Sequence, residues 1–158
     1  MAAAKFMDAI ARFIENDGED SVARAAYTQV ELADVPSLLN NYNSDTQAET
    51  WITLPKHRRP ASWDSIQDPV CLLQRNLYGH KLAGLIWEKH CHKHVYAAGF
   101  TKVHGWECLF VHKEMQVFLS IYVDDFRMAG KASNLPIVWK KLQAGLDLDP
   151  PTKSCSNT

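Results

Sequence analysis

Nowhere in this chain does an uninterrupted apolar run reach membrane-spanning length. Its opening stretch, MAAAKFMDAIARFIEN, carries Lys5 and Asp8 where a signal peptide keeps a hydrophobic core. A soluble, intracellular protein with no membrane partner is the expectation. Cysteine is sparse as well. Cys71, Cys91, Cys108 and Cys155 form neither a CxxC pair nor the dense spacing of a small secreted scaffold, so reduced thiols are expected. An excess of positive charge is also missing, since 17 Lys and Arg stand against 18 Asp and Glu for a formal net charge of -1. Any nucleic-acid contact must therefore come from a local patch and not from bulk attraction. What the 158 residues do hold is 46% hydrophobic and 10% aromatic side chains, enough to fill one ordinary core and hardly two.

Residues 2–15 place Phe6, Ile10, Phe13 and Ile14 at helical spacing, and the NDG that follows carries turn chemistry, so a helix ending there is expected. Residues 23–32, ARAAYTQVEL, have a β-leaning centre at Tyr27, Thr28 and Val30. ETWITLP repeats that bias until Pro55 stops it, which predicts two strands. NNYNSDTQ between them reads as a polar loop. PKHRRPASWDSIQDP gathers Lys56, His57, Arg58 and Arg59 between Pro55 and Pro60, the one compact basic cluster of the sequence. It is a solvated loop or a phosphate-backbone contact. VCLLQRNLY predicts a short strand ending at Gly79, followed by a long amphipathic helix over residues 81–97. WECLFVHKEMQVFLSIYV gives two β-prone runs, and a last helix is expected over residues 134–146. The order predicts an α+β fold with helices on one face of an antiparallel sheet, and a tail at 149–158 without fixed structure.

Within FLSIYVDDFRMAG, Asp124 and Asp125 interrupt two apolar runs. A continuous central strand would bury one of these charges at a cost of several kcal/mol, so the pair is either a turn or a site. A hairpin apex frees adjacent side chains from strict alternation and lets both carboxylates approach one solvent-accessible spot. Neighbouring carboxylates repel, and a divalent cation is what holds both ionised. Mg2+, bound by one or two carboxylates and by substrate phosphates, is the natural candidate.

SIYVDDFRMAG resembles the Tyr-x-Asp-Asp hairpin of reverse transcriptases, and LLQRNLYGHKLAGLIWEKH resembles the LYGLKQAxRxW segment of copia-type retrotransposon polymerases. AGFTKVHGWECLFVHK is similar to that family's GFxxxxxDxCLFxx strand. AAYTQVEL and ETWITLP are similar to its first catalytic strand and the YMxQP after it. The resemblance covers residues 5–148 and implies a partial reverse transcriptase palm over 1–148, with partial fingers and no thumb. The activity it implies is Mg-dependent nucleotidyl transfer by an RNA-directed DNA polymerase, with template-primer and dNTPs as partners. By this resemblance Asp124 and Asp125 are the catalytic, metal-binding carboxylates, with Tyr122 beside them at the primer end. Tyr27 matches the aromatic gate that excludes a 2′-hydroxyl, Gly79 the glycine that lets the backbone approach the nucleotide, and Lys81 the basic residue two positions on. Lys56, Arg58 and Arg59 are the candidate nucleic-acid contacts.

Two positions depart from the family's pattern. Leu82 stands where a glutamine is usual, which removes a polar contact. The family's first metal-binding aspartate sits five residues before the gate aromatic, and that position is Val22. Asp20 and Glu19 are near in sequence, but two residues along a strand displace a carboxylate by about 6 to 7 Å, whereas a Mg2+ ligand sits at about 2.0 to 2.1 Å. A weak or inactive fragment of a decayed element follows. The reading from another class is a non-catalytic nucleic-acid-binding or protein-interaction module on the same scaffold.

EKHCHKHVY puts His90 and His94 one helical turn apart. Only two ligands converge there, so the expectation is a solvated helix face and not a zinc site. Cys71 and Cys108 are expected as small core residues. Trp51, Trp87, Trp106 and Trp139 are expected in packed positions, with Trp63 the one candidate for base stacking.

Overall fold

The computed structural model describes residues 2–39 and 49–154. The polar stretch NNYNSDTQ and Cys155 lie outside them. The chain opens with α1 (Ala2–Ala11), which turns its Phe6, Met7 and Ile10 inward. The amide of Asn16 caps this entry by donating to the Ile10 carbonyl at 3.0 Å. β1 (Asn16–Val22) then runs directly under the helix. Gly18 permits that crossing, because a Cβ there would meet the Ala11 Cβ at 3.0 Å.

This is the first correction to the sequence reading. NDG lies inside a strand, and residues 26–29 of the expected strand, Ala26–Gln29, form a 3-10 turn. Strand propensity is weak where cross-strand partners decide, and β1 has partners at nearly every position. Asp17 meets Lys153, Glu19 accepts a hydrogen bond from Trp139 Nε1 at 2.8 Å, and Asp20 accepts one from Arg127.

A short α2 (Val35–Leu38) follows. Then β2 (Trp51–Ile52) and β3 (Cys71–Leu72) pair as a separate two-stranded ribbon, each shorter than the sequence suggests. α3 spans Ala83–Ala97, close to expectation. β4 (Thr101–Lys102), β5 (Leu109–His112), β6 (Val117–Tyr122) and β7 (Asp125–Lys131) form an antiparallel meander. It is followed by α4 (Leu135–Gln143) and β8 (Thr152–Lys153). The six-stranded sheet has the order β4-β5-β6-β7-β1-β8. β8 falls within the tail expected to lack structure. It is held there by its register against Glu19 and Asp20, and by the Lys153 ammonium on Asp17, which keeps that carboxyl below its ordinary range.

The fold is α+β, but its helices cover both faces of the sheet and not one. α3 and α4 bury Ile86, Trp87, Val95, Val138 and Leu142 against Val117, Leu119, Phe126 and Met128. The alternate residues of the same strands, Leu109, Phe118 and Ala129, are apolar too, so the opposite face also needs a cover, and α1 supplies it. Phe6 meets Phe118 edge-on with ring centroids 5.0 Å apart. Both rings are partly buried, so each contributes less than the about 1.5 to 3 kcal/mol of a fully buried aromatic.

Other expectations shift with burial. Trp51 is exposed and Trp63 half-buried, whereas Trp87 and Trp139 are core residues. Cys71 and Cys108 are half-buried, and Cys91 is the deeply buried thiol, pushed up to about 12 by that burial. The histidine-rich face of α3 is half-buried and not fully solvated. Burial lowers His90 to about 4, which leaves it neutral at pH 7, and lowers His92 and His94 as well.

Candidate functional site

The β6–β7 hairpin is the tightest feature of the sheet. Tyr122 pairs with Asp125, leaving Val123 and Asp124 as the two turn residues. Val123 takes φ 56°, a conformation that a β-branched side chain adopts at a cost. Two hydrogen bonds hold it there. The Trp87 indole on α3 donates to the Val123 carbonyl at 2.7 Å, and the Ala23 backbone N–H donates to the Asp124 carbonyl at 2.8 Å. Asp125 is exposed and Asp124 partly so, which is how two adjacent carboxylates avoid the burial penalty of a continuous strand.

β1 lies beside this hairpin in antiparallel register. Val22 is opposite Asp125, Ser21 opposite Phe126 and Asp20 opposite Arg127. Directly opposed side chains have Cβ atoms about 4.5 to 5.5 Å apart, so a carboxylate at position 22 would share the space in front of Asp125. Valine puts an apolar surface there, 41% exposed. Asp20, two residues back on the same face, is held elsewhere: Arg127 Nε donates to it at 2.9 Å, while Arg127 Nη1 donates to Asp8 of α1 at 3.0 Å. Glu19 points through the other face to Trp139. Asp20, Val22, Ser120, Tyr122, Asp125 and Arg127 line one groove of about 390 Å³. Among the described residues no three His, Cys, Asp or Glu side chains converge as a metal-holding group. Asp124 and Asp125 are the pair that would hold Mg2+. The donor set does not fit a two-ion site, because the third position is an aliphatic side chain and the nearest substitute carboxylate is engaged by a guanidinium.

A second cavity, of about 570 Å³, lies between α3 and the hairpin. Its walls include Tyr27, Trp87, Cys91, His92, Tyr122 and Val123. It brings Tyr27 and Tyr122 to the same space. Cys91 and Cys108 both stand in its wall, and burial pushes the Cys91 thiol up to about 12, which keeps it neutral. Tyr27 rises from the 3-10 turn that Thr28 closes by donating to the Ala25 carbonyl. Its ring lies 4.3 Å from that of Tyr78, which is 61% exposed.

Gly79, next to Tyr78, takes φ 92° and has open space where a Cβ would be. Lys81 is exposed, and neither residue lines the two cavities above. Leu82 packs against the main core, so its apolar character serves α3 and not a ligand. Lys56 and Arg58 are exposed on the 3-10 turn Lys56–Arg58, whereas Arg59 is half-buried and donates to the Leu54 carbonyl at 2.8 Å. The basic cluster therefore offers two of its three named cations and contributes to neither cavity. Sequence reasoning missed Arg127, Asp8, Trp87 and Tyr78. For Arg127 a signal existed, since strand alternation from Asp125 places it on the same face.

No family model matches the chain, and no solved structure does. It is similar to the Transposon Ty1-DR4, Ty1-DR6 and TyH3 Gag-Pol polyproteins of Saccharomyces cerevisiae, with 29% identity over 92 residues in each case. The truncated transposon Ty1-A Gag-Pol polyprotein of the same yeast matches to the same extent. The matched stretch is 58% of this chain and 5% of each of the first three polyproteins. The chain is thus related in sequence to a small part of retrotransposon Gag-Pol polyproteins.

Proposed function

We propose that the chain is a palm segment of a copia-type retrotransposon reverse transcriptase in which nucleotidyl transfer is weak or lost. The observation that carries this reading is the hairpin bearing Asp124 and Asp125, with Val22 directly opposite Asp125 on the neighbouring strand. The similarity to Gag-Pol polyproteins supports a retrotransposon origin. In this reading Asp124 and Asp125 face the reacting phosphates and Tyr122 meets the primer end. Tyr27, buttressed by Tyr78, bars a 2′-hydroxyl. Gly79 and Lys81, which stand outside both cavities, are assigned to the incoming nucleotide by the family resemblance alone. Asp124 and Asp125 would hold a divalent ion with no third carboxylate beside them, which would leave the charge stabilisation that in-line transfer depends on incomplete.

The test combines template-primer binding, followed by anisotropy, with Mg2+-dependent primer extension. The duplex is expected to bind and to be extended at trace level only, and Asp124→Asn should remove the trace. A ternary complex should favour a deoxynucleotide over a ribonucleotide, and Tyr27→Ala should erase the preference. Extension unaffected by Asp124→Asn would sink the reading.

Exposed Lys56 and Arg58 favour a second reading, a non-catalytic nucleic-acid-binding module. Salt-dependent RNA or DNA binding that vanishes in a Lys56→Ala, Arg58→Ala chain, yet ignores Tyr27 and the primer terminus, would give that reading instead.

A further inference from the structure

Arg127 is the only guanidinium of the groove that holds Asp20, Val22 and Asp125 among the described residues. It makes charge-assisted hydrogen bonds to carboxylates of two elements, Asp20 on β1 at 2.9 Å and Asp8 on α1 at 3.0 Å, while itself standing on β7. It is also the diagonal cross-strand neighbour of position 22, within reach of any acidic group placed there. A planar cation bridging two carboxylates does the neutralising work that a divalent ion does in an acidic cleft, and it does so without leaving an open coordination position.

We infer that Arg127 is a built-in cation that excludes a divalent metal from this sheet face, so that two residues and not one separate the chain from a metal site. The inference rests on the reading of this face as a former metal face. Restoring a carboxylate at position 22 is then insufficient, because the guanidinium pairs with the new acid as it pairs with Asp20. Removing the guanidinium alone is also insufficient, because Asp20 lies two residues from the position opposite Asp125.

The experiment is Mn2+ binding, read by the loss of the free-ion electron paramagnetic resonance signal in the absence of nucleic acid. It compares the natural chain, Val22→Asp, Arg127→Gln and the chain carrying both changes. Each single change is expected to tighten Mn2+ binding by less than about threefold, and the double change by at least tenfold. Arg127→Lys combined with Val22→Asp keeps a cation in place and should behave as Val22→Asp alone, which separates charge from packing. Circular dichroism and urea midpoints establish that each chain is folded. Val22→Asp binding as tightly as the double variant would overturn the inference, and so would a folded double variant with no gain. Because no polymerisation is read, failure here leaves the primer-binding test of the palm reading independent.

Discussion

At the scale of single residues, the fold places strain and neutral rings where the sequence shows only ordinary side chains. Val123 occupies a left-handed conformation at the hairpin apex, and glycine removes the clash of a branched Cβ there. Val123→Gly is expected to raise the urea-denaturation free energy by about 1 kcal/mol with an unchanged denaturant slope.

His90 gives a pH-dependent counterpart. Burial is the main reason it is lowered to about 4, with His94 edge-on at 4.7 Å and Lys93 adding to the effect, and Asp34 opposing it. The unfolded chain, where the ring titrates near its ordinary value of about 6.5, binds more protons between those two values. Stability is therefore full above pH 6.5 and falls as pH drops toward 4. The loss is on the order of 1 to 2 kcal/mol once the ring's partial exposure to solvent is allowed for. Denaturation curves from pH 7.5 to 5 should show that slope, and His90→Gln should flatten it.

The elements were legible in unequal degree. α3, α4, β5 and β6 follow from periodicity because each makes its own pattern: apolar residues three and four apart in the helices, and β-branched or aromatic runs in the strands. β1 does not, because NDGEDSV has no apolar alternation and forms by pairing with β7 along its whole length. The hairpin is legible as a turn from its two aspartates, but its register depends on Gly130 as well. That residue takes φ 152°, and a Cβ there would overlap the Gln116 carbonyl oxygen. Gly130→Ala should destabilise the chain by about 2 to 4 kcal/mol and broaden the amide resonances of β6 and β7. A neutral effect by thermal denaturation would show that the two strands pair more loosely than described.

At the scale of the whole molecule, the segment after residue 148 closes the sheet. Asp149 accepts from Arg24, its carbonyl accepts from Ser21 Oγ at 2.7 Å, and β8 extends β1. Ending the chain at Leu148 is expected to cost about 2 to 3 kcal/mol, from the lost part-buried hydrogen bond and strand pairing, and to expose β1 as a free sheet edge. A urea midpoint equal to that of the full chain would show these contacts to be incidental. The charged pairs at this edge are exposed and contribute little by themselves, so the effect should change little with salt.

The sequence by itself determined the α+β composition, the extent of the long helix, and a carboxylate pair at a turn, together with its likeness to a polymerase hairpin. These are local: a helix needs only its own periodicity, and a turn only its own residues. Tertiary structure alone decided that α1 covers the second face of the sheet, that Val22 stands opposite Asp125, and that Arg127 spans Asp8 and Asp20. Register and cross-element ion pairs join residues more than a hundred positions apart. No local pattern encodes which of several carboxylates a guanidinium will meet once the strands align.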